Sequence, residues 1–537
     1  MSDAKDDQQQ TGVNESEPVR ESQAPAIGSF YLARFLFLKA MAVIYAIAFA
    51  SLSVQIVGLV GENGIQPIQD YLNAARDFGG FRDYGFLPEF AKPLWNVPTI
   101  FWIDASDATL KGACVAGMVL AGLLFLGVCP PLMLLLLWAN YLSLSVAGQV
   151  FLQFQWDSLL LETGLVAVFF APWVLWAAPK RVPPPPVLPR WLLIWILFRL
   201  MMSSGLVKLI HDHPLEPTWR NLTALGYHYE TQCIPNAMAW FAHQAPPWVG
   251  AVSTAMMFFI EIATPLFFFF PRRLRHLAGL SQILLQLVII ATGNYTYFNW
   301  LTIALCLVLF DDRFLSSFLP RQLRSGWNDQ TLPAVKSTAA AGRIRRGMVT
   351  LFGVTAGAAS FAGGGIEMAK RVWPRTVETP MPDFVMNSTR WLSPFRSLNN
   401  YGLFTRMTTV RYEIEIQGST DGVEWRPYVL PYQPGPVDRM PPFVAPHQPR
   451  LDWQMWFAAL RHPSRRPRWF DQFLGRLLDG EPSVIALLAE DPFPEMPPAY
   501  IRAVRYRYRF SDWETGRRTG DWWTRDYVGP YGPVRHR

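Results

Sequence analysis

Ionisable side chains stand in this chain where charge is costly or where chemistry could be done. Asp157 and Glu162 lie in F-Q-W-D-S-L-L-L-E-T-G, Arg199 and Lys208 in a later apolar stretch, and Glu261 in the next. His228 and Glu230 stand in W-R-N-L-T-A-L-G-Y-H-Y-E-T-Q-C-I-P, residues Trp219 to Pro235. An ionised group at mid-bilayer depth costs about 2.5–3.5 kcal/mol on insertion scales, so each needs a partner or a water-filled site. Asp157 and Glu162 are five residues apart and do not share a helical face. Asp157 suits a helix N-terminus, and Arg199 is a candidate partner for Glu162 or for Glu261. Read as chemistry, His228, Glu230, Glu162, Arg199 and Glu261 would form the polar intramembrane site of an enzyme acting on a lipid or a passing exported protein. Read structurally, Asp157 and Glu162 hold helices together. Gln282 and Gln286, at i and i+4 on one face, do the same.

Other chemistries are poorly supplied. Cys114, Cys129, Cys233 and Cys306 make no C-x-x-C, and a thiol exchanger needs an exposed attacking and resolving pair. No phosphate-binding Gly-rich loop, nucleophile elbow, H-E-x-x-H or dinucleotide fingerprint stands in a credible context. His211 and His213 lack a nearby third ligand. We therefore expect no metal and no cofactor, and no nucleic-acid partner.

The elements that must position these residues are membrane spans. The chain has 537 residues, 51% apolar and only 17% charged, with 22 Trp. Ordinary soluble domains rarely match that balance. Its apolar residues gather into runs long enough to cross a hydrocarbon core of about 30 Å. The runs cover about 31–60, 108–128, 131–149, 156–172, 191–210, 248–270, 275–292, 297–310 and 347–366. This predicts a polytopic α-helical membrane protein with about nine transmembrane helices. Residues 1–26 are polar and read as a disordered cytoplasmic tail. Residues 27–370 form the helical domain, with an external cap at 211–247, rich in tyrosine at headgroup level. Lys180, Arg181, Arg190, Arg272, Arg273, Arg275 and the basic stretch 313–346 mark the cytoplasmic connections. That puts the cap and everything after residue 366 outside.

Residues 371–537 read as a soluble non-cytoplasmic α+β domain built on an antiparallel sheet. T-T-V-R-Y-E-I-E-I-Q-G alternates for a strand, with Val410, Tyr412, Ile414 and Ile416 on one face. Asp421-Gly422 signals a hairpin. Short helices are expected at 451–460, 469–478 and 483–489, and a second long strand at 500–510. Arg502, Arg505, Arg507 and Arg509 would be its solvated face. L-D-W-Q-M-W-F, residues 451–457, offers Trp453, Gln454, Met455, Trp456 and Phe457, either as a core helix or as an exposed aromatic patch for a partner.

Several strings resemble the lipase maturation factor family: F-Q-W-D-S-L-L-L-E-T-G, N-L-T-A-L-G-Y-H-Y-E-T-Q-C-I-P-N, N-N-Y-G-L-F-T-R-M-T-T, V-R-Y-E-I-E-I-Q-G-S-T-D-G-V-E-W, P-H-Q-P-R-L-D-W-Q-M-W-F-A-A-L and G-D-W-W-T-R. The resemblance covers nearly the whole chain from about residue 30. It implies a polytopic protein with an outward C-terminal domain, acting as a chaperone that brings secreted lipases to their active form. The expected partners are an exported client protein, a lipase among the candidates, and membrane lipids. Tyr227, His228, Tyr229, Glu230 and Gln232 in the cap, with Trp453, Gln454, Trp456 and Phe457, are the candidate client-binding residues. The terminal R-H-R is not a lumenal retention signal. With the Ala-, Arg- and Pro-rich composition and short loops, it suggests a bacterial cytoplasmic membrane, the endoplasmic reticulum being the alternative.

Overall fold

A computed structural model of the chain describes residues 28–77, 81, 87–177, 182–320, 347, 361–369, 387 and 390–537. The expected tail at 1–26 and most of the expected span at 347–366 lie outside these residues. The membrane-embedded part is built from α1 (Tyr31–Ser53), α2 (Asp107–Leu126), α3 (Pro130–Ala147), α4 (Gln155–Phe170) and α5 (Val187–Ile210). Two short cap helices follow, α6 (Ala224–Thr231) and α7 (Ala237–His243). Then come α8 (Pro247–Phe258), α9 (Arg272–Thr292) and α10 (Phe298–Leu307). Among the described residues six helices are long and apolar enough to cross a membrane, α8 being continued to Phe269 by a π turn and a 3-10 segment.

Local chemistry sets the boundaries. Ser106 accepts the Thr109 N–H to cap α2, and Gly127 ends that helix at φ +88°, a conformation glycine adopts without a Cβ clash. Pro130 and Pro131 open α3, where a missing N–H costs nothing. Several expected spans come out shorter, and α1 ends at Ser53 rather than near residue 60. α4 has 16 residues and α10 only 10. After α10 the chain leaves the helical ladder, and Arg190 and Arg275 donate to the freed carbonyls of Val308 and Leu309 at 2.9 Å. Protein donors thus replace the helical bonds, the condition under which irregular backbone is tolerated at membrane depth.

The basic connections meet at one end of the bundle. Arg34 donates to the Pro183 carbonyl at 2.7 Å, and Asp312 accepts the Tyr31 and Leu32 N–H groups at 2.8 Å. Arg272 pairs with Asp311 at the same end.

The other end carries the cap and the C-terminal domain. That domain comprises β1 (Arg411–Ser419), β2 (Arg426–Tyr428), α11 (Arg450–Ala459), α12 (Arg468–Asp479), β3 (Tyr500–Phe510), β4 (Trp523–Pro530) and β5 (Arg535–His536). All pairings are antiparallel in the order β2-β1-β3-β4, with β5 also on β3; Ile414 faces Arg505 across β1 and β3. Asp421 builds the predicted turn by accepting the N–H groups of Val423 and Glu424, and Gly422 supplies φ +77°, the side-chain and backbone roles these residue types favour in turns.

Two expectations about this domain are corrected. β1 has no free face: Ile414 and Ile416 are buried on one side, and Arg411 and Glu413 on the other. Nor do the arginines of β3 form one solvated row. Arg502 is an odd number of residues from Arg505, so it projects from the opposite face. Arg505 lies 3.6 Å above the Tyr412 ring and Arg502 4.0 Å above the Trp425 ring. One contiguous apolar core runs from Phe37 in α1 to Tyr531 near the C-terminus. The bundle and the outer domain are therefore packed as one body.

Candidate functional site

The intramembrane charges resolve into separate centres. In the first, Asp157 sits in the first turn of α4 and meets Arg450, the first residue of α11, at 2.9 and 3.1 Å. This is a fork-to-fork pair, the strongest geometry for two such groups. Asp157 Oδ1 also accepts the hydroxyls of Tyr141 (2.5 Å) and Tyr297 (3.0 Å), while Arg450 donates to the Phe151 carbonyl at 2.7 Å. Both charged side chains are 2% exposed or less. Removing one partner from such a pair costs about 3–5 kcal/mol, because the survivor stays buried and uncompensated.

In the second centre Arg199 pairs with Glu162 rather than with Glu261, and both are 1% exposed. Residues beyond the bundle complete it. Tyr401 donates to Glu162 at 2.6 Å, Asn399 donates at 3.3 Å, and Arg199 donates to the Asn399 carbonyl at 2.9 Å. The segment preceding β1 therefore reaches into the bundle between α4 and α5.

In the third, Lys208 holds both oxygens of Glu261 at 2.8 and 2.6 Å. The π turn at 259–263 carries Glu261. Such turns insert one residue and often mark functional positions. Gln282 donates to the Ile260 carbonyl and to Thr264 beside this turn, and Gln286 accepts from Asn299 at 2.7 Å.

The cap is held from the same two directions. Tyr295 donates its hydroxyl to Gln232 at 2.7 Å, so the 3.0 Å contact with His228 has Nε2–H as donor. Burial and the nearby Lys208 lower the pKa of His228 to about 4, since both disfavour the charged ring, and this keeps the ring neutral near pH 7. Glu230 does not pair with His228. Its carboxylate accepts the Phe510 N–H at 3.1 Å and lies 3.8 Å from His243. Arg411 of β1 donates to the carbonyls of Glu230, Gln232 and Cys233, and Trp456 donates to that of Thr231 at 3.0 Å. The tip Tyr227 is 38% exposed.

Of the proposed enzymatic set, His228 and Glu261 line one cavity, with Lys208 beside them, and Glu162, Arg199 and Glu230 do not join them. Glu162 and Arg199, Glu261 with Lys208, His228, and Glu230 with His243 sit in different hydrogen-bonded groups. The exposed aromatic patch is also corrected. Arg450, Trp453, Gln454 and Phe457 of α11 fall at i, i+3, i+4 and i+7, one helical stripe, and that stripe is spent on the bundle. Trp453 packs edge-on to Trp156 at 4.7 Å, Gln454 donates to the Val150 carbonyl, and Phe457 stacks near Phe154. Trp453, Gln454 and Trp456 are buried; Phe457 remains 39% exposed. The opposite stripe, Leu451, Met455 and Ala458, is buried as well.

Sequence reasoning missed Arg450, Tyr401, Asn399 and Arg411. No local signal marks them, because each partner lies far away in sequence. Among the described residues no group of three or more metal-ligating side chains occurs.

Comparison with known proteins follows the same two-part layout. A family model described as "Lipase maturation factor transmembrane domain" matches residues 32–317, and "Lipase maturation factor C-terminal domain" matches 397–533. The chain is similar to lipase maturation factor 2 of Xenopus laevis, 37% identical over 95% of this chain and 83% of the relative. It is similarly related to lipase maturation factor 2 of Homo sapiens, 37% identical over 94% and 82%. Lipase maturation factor 1 of Bos taurus is 35% identical over 95% and 90%. No solved structure matches. The second match begins at Ser397, within the segment that completes the Glu162 centre, so the charged seam between bundle and outer domain joins two recognised halves. An integral membrane bundle, an outer α+β domain and both family matches in order place this chain in the lipase maturation factor family.

Proposed function

We propose that this protein is a membrane-anchored folding or assembly factor for exported proteins, with lipase-like hydrolases as its clients. Family membership supports the lipase part. The observation that carries the folding-factor part is the sheet edge at β4, which no further strand pairs among the described residues. β4 ends the strand order, and its residues from Thr524 to Val528 are exposed, with Tyr527 at 62% and Val528 at 50%. An open strand edge is a template on which an incompletely folded chain can add a strand. Beside it stands an aromatic cluster in which Trp240 stacks on Trp513 at 5.6 Å, with Phe241 and Trp513 half-exposed. Of the residues first proposed for client binding, Tyr227 and Phe457 stay accessible; Gln232, Trp453, Gln454 and Trp456 support the surface from within.

The basic end of the bundle faces the cytoplasm in this reading, and the cap and outer domain face the export side. The vertebrate relatives fit the endoplasmic reticulum; the composition argues for a bacterial cytoplasmic membrane. The client reaches the same face in both. The test is removal of this chain, followed by assay of exported hydrolases. Their specific activity should fall and their aggregated fraction rise; unchanged clients would overturn the proposal. Single cysteines near Gly422 and Ala237, in a background lacking the native four, should both label with an impermeant thiol reagent.

A further inference from the structure

A cavity of about 170 Å³ opens between α5, α8, α9 and α10 under the cap. Its walls are apolar: Leu200, Met201, Met257, Leu285, Ile289 and Phe404. Its polar lining includes Lys208, Glu261, Gln286 and Asn299. The two amides bond once to each other, Asn299 Nδ2 to Gln286 Oε1. Gln286 is 3% exposed and Asn299 2%, and no protein group takes the remaining Gln286 N–H groups or the Asn299 carbonyl among the described residues. Exchanging both amide assignments leaves the same result, one free donor and one free acceptor. An occupant carrying both an acceptor and a donor would satisfy them.

Two further features define that occupant. Lys208 and Glu261 neutralise each other, so the cavity offers no net charge to a charged head, whose desolvation would go uncompensated. The cavity reaches the surface of the bundle between α8 and α9, where Val288 is 51% exposed. Phe259 to Phe269, the continuation of α8, packs on α9, whereas α8 itself packs on cap helix α6. The outer halves of α8 and α9 diverge, and Ser253, Met257 and Val288 line the gap. The space equals about five or six waters, at roughly 30 Å³ each, so it accepts a small head and not a whole lipid. A tail would lie in the gap between α8 and α9. We propose that this cleft binds the head of an acylglycerol with a free hydroxyl, drawn sideways from the membrane. Its ester carbonyl takes the free amide N–H and its hydroxyl donates to the free amide carbonyl.

The test uses the full chain in nanodiscs and a monoacylglycerol bearing a photoreactive diazirine in its chain, with mass-spectrometric mapping of the adducts. Adducts should fall on the peptides carrying Ser253, Met257 and Val288, which line the gap that holds the chain. Unlabelled monoacylglycerol should compete and phosphatidylglycerol of the same chain should not. Gln286→Leu and Asn299→Leu should each cut labelling about tenfold, the equivalent of one buried hydrogen bond. Ser253→Phe, half-exposed at the entrance and outside the core, should do the same with an unchanged melting temperature, and it decides the matter if the amide variants fail to fold. Labelling spread evenly over the lipid-facing helices, equal competition by phosphatidylglycerol, or undiminished labelling of Ser253→Phe overturns the proposal.

Discussion

The seam around Asp157 and Glu162 and the cleft around Lys208 and Glu261 are built from the same ingredients and finished differently. In the seam each charge meets a partner and neutral donors close over it: Tyr141 and Tyr297 on Asp157, Tyr401 and Asn399 on Glu162. In the cleft the ion pair is complete but the amides beside it are not, and there is room next to them. A buried charge pair adds little net stability over an apolar replacement, but it punishes the loss of one member. A pair with its carboxylate enclosed by neutral donors therefore acts as a latch, whereas a pair with room beside it is a place for something else to bind.

The comparison can be broken at several points. Arg450→Met should have the largest effect, about 3–5 kcal/mol, because Asp157 is left enclosed without a cation. Melting of the purified chain in detergent measures it, and adding Asp157→Leu to the same chain should recover most of the loss. Glu261→Gln should cost on the order of half as much, since water can enter the cleft and hydrate Lys208. Equal losses at the two sites would erase the distinction between latch and pocket. Tyr401→Phe removes one donor from Glu162 and should cost about 1–2 kcal/mol. It should also speed proteolysis near residues 390–408, while leaving cleavage in the outer sheet unchanged.

Titration sharpens the contrast between the cap and the outer domain. Burial raises the carboxyl of Asp452 to about 7, although it accepts the N–H groups of Tyr432 and Gln433. The folded chain then holds a proton that the unfolded chain gives up near pH 4, so stability falls as pH rises from about 4 to about 7. His228 runs the other way. Its folded pKa of about 4 lies below the unfolded value of 6.5, so stability falls as pH drops through that interval. Asp452→Asn should flatten the melting temperature toward neutral pH, and His228→Gln toward acid pH. The smallest effect on stability belongs to Tyr527→Ser on the open edge, within about 0.5 kcal/mol. If the proposed function holds, its effect should appear as a drop in crosslinking to an exported hydrolase.

Much of the bundle is legible in the sequence because the apolar runs are long and the capping residues conventional: Ser106 and Gly127 bound α2, and Pro130 starts α3. The strand Tyr500–Phe510 and the Asp421-Gly422 turn are legible from period and turn chemistry. β4 is not, since D-W-W-T-R-D-Y-V-G-P does not alternate cleanly. The outward role expected of Trp453 and Trp456 fails for a physical reason. Helical periodicity shows that α11 has two stripes, but it cannot show that a second body covers the stripe facing away from the sheet. Partners far apart in sequence are invisible to local patterns: Arg450 and Asp157 are 293 positions apart, and Tyr401 and Glu162 are 239 apart.

That separation sets a clock on the protein's own birth. α4 enters the membrane carrying Asp157 long before Arg450 has been translated. At a synthesis rate on the order of ten amino acids per second, the wait for Arg450 is roughly half a minute. For that interval a nascent chain presents an unanswered acid at the bilayer, and Glu162 waits for Tyr401 likewise. A chain that stops before residue 450 leaves Asp157 without its cation, a loss of about 3–5 kcal/mol. Completion of the last domain is thus what certifies the first.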